Sequence, residues 1–155
     1  MPKYATNDTV DRTALTAFLR DRDRAILTTL RADGRPQMSP VTYGVDGEGR
    51  IAVATYPQRA KVRNLRRDPR ASLCVLSDDW DPWVQVDGTA EVIDLPDAVE
   101  PLVEYFRSIS GEHPDWDEYR EAMRRQGKSL VRVTIERWGP LATGGFPPEL
   151  RTALG

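Results

Sequence analysis

The sequence predicts an α+β domain, an antiparallel six-stranded β-barrel with peripheral helices. Two observations lead there. β-rich segments follow one another across hairpin signals instead of forming alternating βαβ units, and the helical patterns lie to the side, before the strands, in one short segment between them and in one late cluster. The length supplies a third: 155 residues with 39% hydrophobic content can bury one core without disulfide or metal staples. With no repeat and no low-complexity linker, residues 1–155 read as a single domain whose core runs from about 12 to 141.

Each element follows from local pattern. Asp11 caps a first helix in which Ala14, Leu15, Phe18 and Leu19 recur at three- and four-residue spacing, and which ends near Arg22. The stretch AILTTLRADGRPQMSPVTYGVDGEGRIAVATY holds three β-rich segments parted by ADGR and VDGEGR, whose Asp-Gly steps suit tight turns, and reads as a three-stranded antiparallel meander. Pro36 and Pro40 remove backbone donors from its middle strand, which points to an edge, a bulge, or backbone facing something other than a strand. Residues 59–67 suit a short helix halted by Asp68 and Pro69, after which ASLCVL and WVQVDGTAEVID are strands. DLPDAVEPLVEYFRSI is an amphipathic helix with Asp94 near its cap, and DWDEYREAMRRQG a second helix ending at Gly127. The last strand, SLVRVTIERWGPL, sets Leu130, Arg132, Thr134 and Glu136 on one face and Val131, Val133, Ile135 and Arg137 on the other.

Composition excludes several functions. With 22 basic against 24 acidic residues, the chain lacks the positive excess of a dedicated nucleic-acid binder, so any basic site is local. No apolar segment is long enough for a membrane span, and MPKYATNDTVDR carries no secretory signal, so a cytoplasmic location is expected. Cys74, the single cysteine, reads as a small buried hydrophobe. His113 has no second histidine, cysteine partner or metal-ligand spacing and reads as structural. A Rossmann fingerprint and a Walker-type loop are both absent.

Positive charge instead concentrates in TYPQRAKVRNLRRDPRASLCVL, residues 55–76. A solvated helix face, a nucleic-acid patch and a pocket for a phosphorylated small molecule all suit such a run. A short segment on an acidic chain argues against nucleic acid.

The succession of DGRPQMSPV, RAKVRNLRRDPRASL, DGTAEV, GEHPDWDEYREAM and RVTIERWG resembles the split β-barrel flavin-binding proteins related to pyridoxamine 5'-phosphate oxidase, and within them the F420-dependent oxidoreductases. The similarity covers residues 12–141. It implies a homodimer with cofactor clefts between subunits, a small-molecule substrate, and coenzyme F420 as the hydride carrier, with FMN as the alternative. The tail RWGPLATGGFPPEL lacks the basic, histidine-bearing C-terminal motif of the oxidase itself, and arginine is used far more than lysine, as in GC-rich genomes of bacteria that make F420. A carrier that binds flavin or deazaflavin without turnover stays open.

The resemblance also implies site residues. Arg59 and Lys61, an R-x-K directly after the third strand, grip the cofactor phosphate; otherwise they are surface charges on a helix. The ring lies along QMSPVTY, where Gln37, Ser39, Pro40, Val41 and Thr42 present backbone and small polar groups, though strand alternation alone explains them equally. Thr55 precedes the phosphate motif. Asn64 either bonds the phosphate or holds the helix. Ser77 and Trp83 border the cleft mouth, and Trp138 reaches the cofactor from the partner or anchors the interface. Arg66, Arg67 and Arg70 face solvent or pair with acids. No side chain is assigned a catalytic role, because a redox cofactor carries its own chemistry.

Overall fold

The computed structural model describes residues 1–154. Strands β1 (Thr6–Asp8), β2 (Arg24–Leu30), β3 (Pro36–Thr42), β4 (Gly44–Val45), β5 (Ile51–Thr55), β6 (Arg70–Ser77), β7 (Trp80–Ile93), β8 (Ser129–Trp138) and β9 (Leu141–Thr143) are joined by helices α1 (Arg12–Arg20), α2 (Ala60–Arg67), α3 (Val99–Ser110), α4 (Trp116–Gln126) and α5 (Arg151–Leu154). The strands form one antiparallel curled sheet in the order β3-β2-β6-β7-β8-β5-β4, with β1 and β9 clipped to its side.

The six strands read from the sequence are all present, and the count rises to nine. β1 and β9 are three-residue segments that pair only with each other and with β7, too short for any period to mark. β4 arises because the middle strand of the expected meander divides. β3 pairs along its whole length with β2, whereas β4 pairs with β5, so the meander is two separate pairings meeting at Tyr43. β5 takes β8 as its other neighbour, and β3 ends the sheet as an edge, which is what Pro36 and Pro40 require.

Two apolar cores flank the sheet. Inside the curl, Leu27, Tyr43, Ile51, Leu73, Val75, Val84, Val86, Val131 and Val133 are fully buried, with Leu15 and Leu19 of α1 and Val62 of α2 closing the ends. Outside β5 and β8, Ala52 and Leu130 pack against Leu102, Val103, Tyr119 and Met123 of α3 and α4. The alternation of β8 therefore serves both cores, Val131, Val133 and Ile135 inward and Leu130 outward.

Helix ends follow their caps with one exception. Asp11 accepts from Ala14 N–H at 2.8 Å, and Asp115 from Glu118 N–H at 3.1 Å. α4 stops at Gly127, whose φ of +68° a side chain would resist. Asp94 does not cap α3: Ser129 donates to its carboxylate at 2.7 Å and Arg66 forms an ion pair with it at 2.7 Å. Cys74 is also displaced from expectation, lying half-buried on the outward face of β6 with its thiol pKa raised by desolvation.

Candidate functional site

A groove opens where the barrel ladder stops. β4 and β5 pair only at Gly44↔Ala52 and Val45↔Ile51, and beyond that point β3 and β5 diverge. The space between them is about 430 Å³, lined by Pro40, Val41, Thr42, Val53, Ala54, Thr55, Tyr56, Arg59, Lys61 and Tyr105. That volume suits a small planar ligand.

Both walls are strand edges. In an antiparallel ladder alternate residues turn their backbone groups to the same neighbour. Tyr43 N–H donates to Asp23 O at 2.9 Å, so Pro40 and Thr42, out of phase with Tyr43, face away from β2 and toward the groove. Pro40 has no N–H to leave unpaired there. Ser39 points to the opposite face with Gln37 and Val41, and its Oγ is buried without a hydrogen-bond partner among the described residues.

The end of the groove is cationic. Arg59 is the N-cap residue of α2, with no side-chain cap of its own, and its guanidinium lies 5.9 Å from the centroid of Tyr56. Lys128 sits 5.0 Å from the same ring. Lys61 follows in the first turn, half-buried, its ammonium pKa lowered first by desolvation and then by Arg59. Neither Arg59 nor Lys61 has a carboxylate in ion-pair range among the described residues. A bound anion would relieve the repulsion and offset part of the desolvation, so a phosphate fits these two side chains.

Of the sequence-derived candidates, Pro40, Val41, Thr42, Thr55, Arg59 and Lys61 converge on this groove. The others lie apart from its lining. Asn64 donates to Thr29 Oγ1 at 3.0 Å and accepts from Arg67 at 2.9 Å, while Thr29 in turn donates to Gln37 Oε1 at 2.9 Å, so both amides tie α2, β2 and β3 together. Ser77 accepts from Arg22 Nε at 2.7 Å and donates to Pro82 O at 2.6 Å. Trp83 is exposed on the outward face of β7, and Trp138 donates to Val10 O at 2.9 Å with Arg12 stacked on its ring. His113 is structural, its Nδ1 accepting from Asp115 N–H at 2.9 Å beside Phe106 and Trp116.

Of the lining residues that sequence reasoning did not name, Val53 and Ala54 belong to the third strand it pointed to, and Tyr105 lies elsewhere. Tyr105, on α3, donates to Thr42 O at 2.9 Å across the mouth of the split. Its place on the edge of an apolar helix face was legible, but nothing local says which strand that face meets.

A larger groove of about 730 Å³ lies near by, lined by Arg22, Asp23, Arg24, Tyr43, Ser77 and Asp78. Its charges are mixed, whereas the smaller groove carries cations alone. The uncompensated charge makes the smaller one the better fit for an anion.

The model of the family described as pyridoxamine 5'-phosphate oxidase matches residues 12–142. The chain belongs to that family. Among curated proteins, an F420H(2)-dependent biliverdin reductase from Mycobacterium tuberculosis is 40% identical over 123 residues, covering 78% of this chain and 81% of the relative. A conserved hypothetical protein of known structure from the same organism superposes with a TM-score of 0.72 at 25% identity, covering 88% of this chain and 87% of the other. A structure described as an F420 reductase superposes at 0.58 with 21% identity, over 78% of this chain and 93% of its own, a likeness of fold. Membership in the pyridoxamine 5'-phosphate oxidase family agrees with the split between β3 and β5 and with the curled antiparallel sheet.

Proposed function

We propose that this chain is an F420-dependent oxidoreductase that transfers a hydride between coenzyme F420 and a small unsaturated or planar substrate. The observation carrying the reading is the groove between two unpaired strand edges, ended by two cations without acidic partners, in a chain 40% identical to an F420H(2)-dependent reductase. When bound, the reduced cofactor supplies the hydride. Arg59 and Lys61 would hold its phosphate as fork and point charge. The Pro40 and Ala54 carbonyls and the Thr42 N–H would be the groups to meet a polar ring edge, between walls that would orient it. Solvent at the open side supplies the proton that completes reduction.

FMN is the second reading, favoured by the family's flavin-binding character. It presents the same phosphate and a similar ring, and a carrier without turnover would use the same contacts. Titrating the protein with F420 and with FMN, followed by tryptophan quenching, separates the cofactors: tighter F420 binding is expected, and an FMN preference overturns the assignment. Turnover over a panel of unsaturated substrates separates enzyme from carrier.

The working unit in this proposal is a cytoplasmic homodimer. The outward face of β3, β2, β6 and β7 carries Met38, Ile26, Cys74, Leu76 and Trp83, and Met38 is 63% exposed. Such a face suits a second copy of the chain. Light scattering at micromolar concentration should give the dimer mass, and Met38→Asp should lower it; a monomeric wild type sinks this part.

A further inference from the structure

The split needs an explanation at its root, because Pro40 removes a donor only two residues beyond Thr42, and nothing in the sequence forbids Thr42 from pairing with Ala54. Extending the Gly44↔Ala52 register by two residues sets Thr42 opposite Ala54. Asp46 N–H donates to Arg50 O at 2.9 Å, so the hydrogen-bonded positions of this ladder are Asp46 with Arg50, then Gly44 with Ala52, then Thr42 with Ala54. At that third position the ladder bonds would run from Ala54 N–H to Thr42 O and from Thr42 N–H to Ala54 O. The Thr42 carbonyl accepts instead from the hydroxyl of Tyr105, at 2.9 Å. Ala54 lines the same groove as Tyr105, on the facing strand. One phenol hydroxyl therefore occupies the carbonyl that the Ala54 amide would otherwise bond.

We infer that Tyr105 is a wedge that holds the cofactor groove open by inserting its hydroxyl between Thr42 and Ala54. The helix can reach so far because Gly44 has no side chain: a Cβ there would lie 2.2 Å from Ser108 Oγ, one turn beyond Tyr105. The ring packs on the outer core, so the wedge is anchored at its base. Tyr105 is a positioning residue. It keeps two strand edges apart at a spacing that leaves the Thr42 N–H and the Ala54 carbonyl to a ligand.

The inference rests on the reading of this groove as the cofactor site, and Tyr105→Phe tests it in two independent ways. Phenylalanine keeps the ring packing and removes only the hydroxyl. In the cofactor-free variant, a crystal structure or cross-strand NOEs should show Thr42 and Ala54 closing to a Cα separation of about 5.5 Å, that of a bonded antiparallel pair. Thermal stability should hold or rise, because the direct bond replaces the bridged one, and F420 affinity should fall by about tenfold or more. A groove that stays open, or unchanged affinity in the variant, overturns the wedge. A loss of affinity that merely parallels a lowered melting temperature, with the strands still apart, also overturns it. If the wild type binds neither F420 nor FMN while the variant's strands close, the cofactor reading fails and the wedge stands.

Discussion

The two ends of α2 carry the same kinds of side chain and do opposite things with them. At the C-terminal end Arg66 pairs with Asp94 and Arg70 with Asp68, both at 2.7 Å, and Arg67 donates to Leu30 O at 3.0 Å and to Asn64. At the N-terminal end Arg59 and Lys61 face a groove with no acid to meet them. Arg63, between the two groups, is exposed and lines neither. Positive charge that is neutralised inside the fold holds elements together. Charge that the fold brings together and leaves uncompensated is available to a ligand, at some cost to the empty protein.

The sharpest break of this comparison is Lys61→Ala, expected to weaken binding of the phosphate-bearing cofactor by about 1.5 to 3 kcal/mol, the range for a hydrogen bond to a charged group. Titration by tryptophan quenching measures it. Arg67→Ala removes one positive charge from the same helix, yet its affinity should stay within about twofold of wild type; equal losses in the two variants would mean a diffuse field and no specific clamp. Next in size is pH. The ammonium of Lys61 is below its ordinary pKa in the empty site, chiefly from desolvation, and a bound anion raises it, so affinity is constant at lower pH and falls as pH rises past the empty-site value. The fall should therefore begin below the ordinary lysine range and vanish in Lys61→Ala. A wild-type profile flat into the lysine range would remove the clamp.

The other end of α2 should respond in stability alone. Arg67→Ala leaves the buried Asn64 without one partner and is expected to cost about 0.5 to 1.5 kcal/mol of unfolding free energy, read by urea denaturation, while Arg66→Ala, a half-exposed pair, costs up to about 1 kcal/mol. The smallest effect lies in acid. Hydrogen bonds from Arg70 hold Asp68 down to about 2, and Ser129 and Arg66 lower Asp94. A depressed carboxylate stabilises above its unfolded pKa and loses that contribution as pH falls toward its folded value. Melting temperatures should hold to about pH 4 and decline below it, less steeply once Asp68 is replaced by Asn; identical declines would detach Asp68 from acid stability.

The sequence by itself determined much of this protein. Asp11, Asp115 and Gly127 mark helix ends because capping is decided within a turn, and the alternation of residues 129–138 names both faces of β8 because a strand's period is local. The segment R-x-K after the third strand was legible for the same reason. Only the tertiary structure decided that β3 leaves β5, that Asn64 and Gln37 are spent holding elements together, that Asp94 serves Arg66 and Ser129 instead of a helix cap, and that Tyr105 donates to the Thr42 carbonyl. The reason is distance along the chain. Tyr105 meets a carbonyl 63 residues away and Ser129 meets an acid 35 residues away, and such contacts are set by how packed cores bring elements together, which no short-range period encodes.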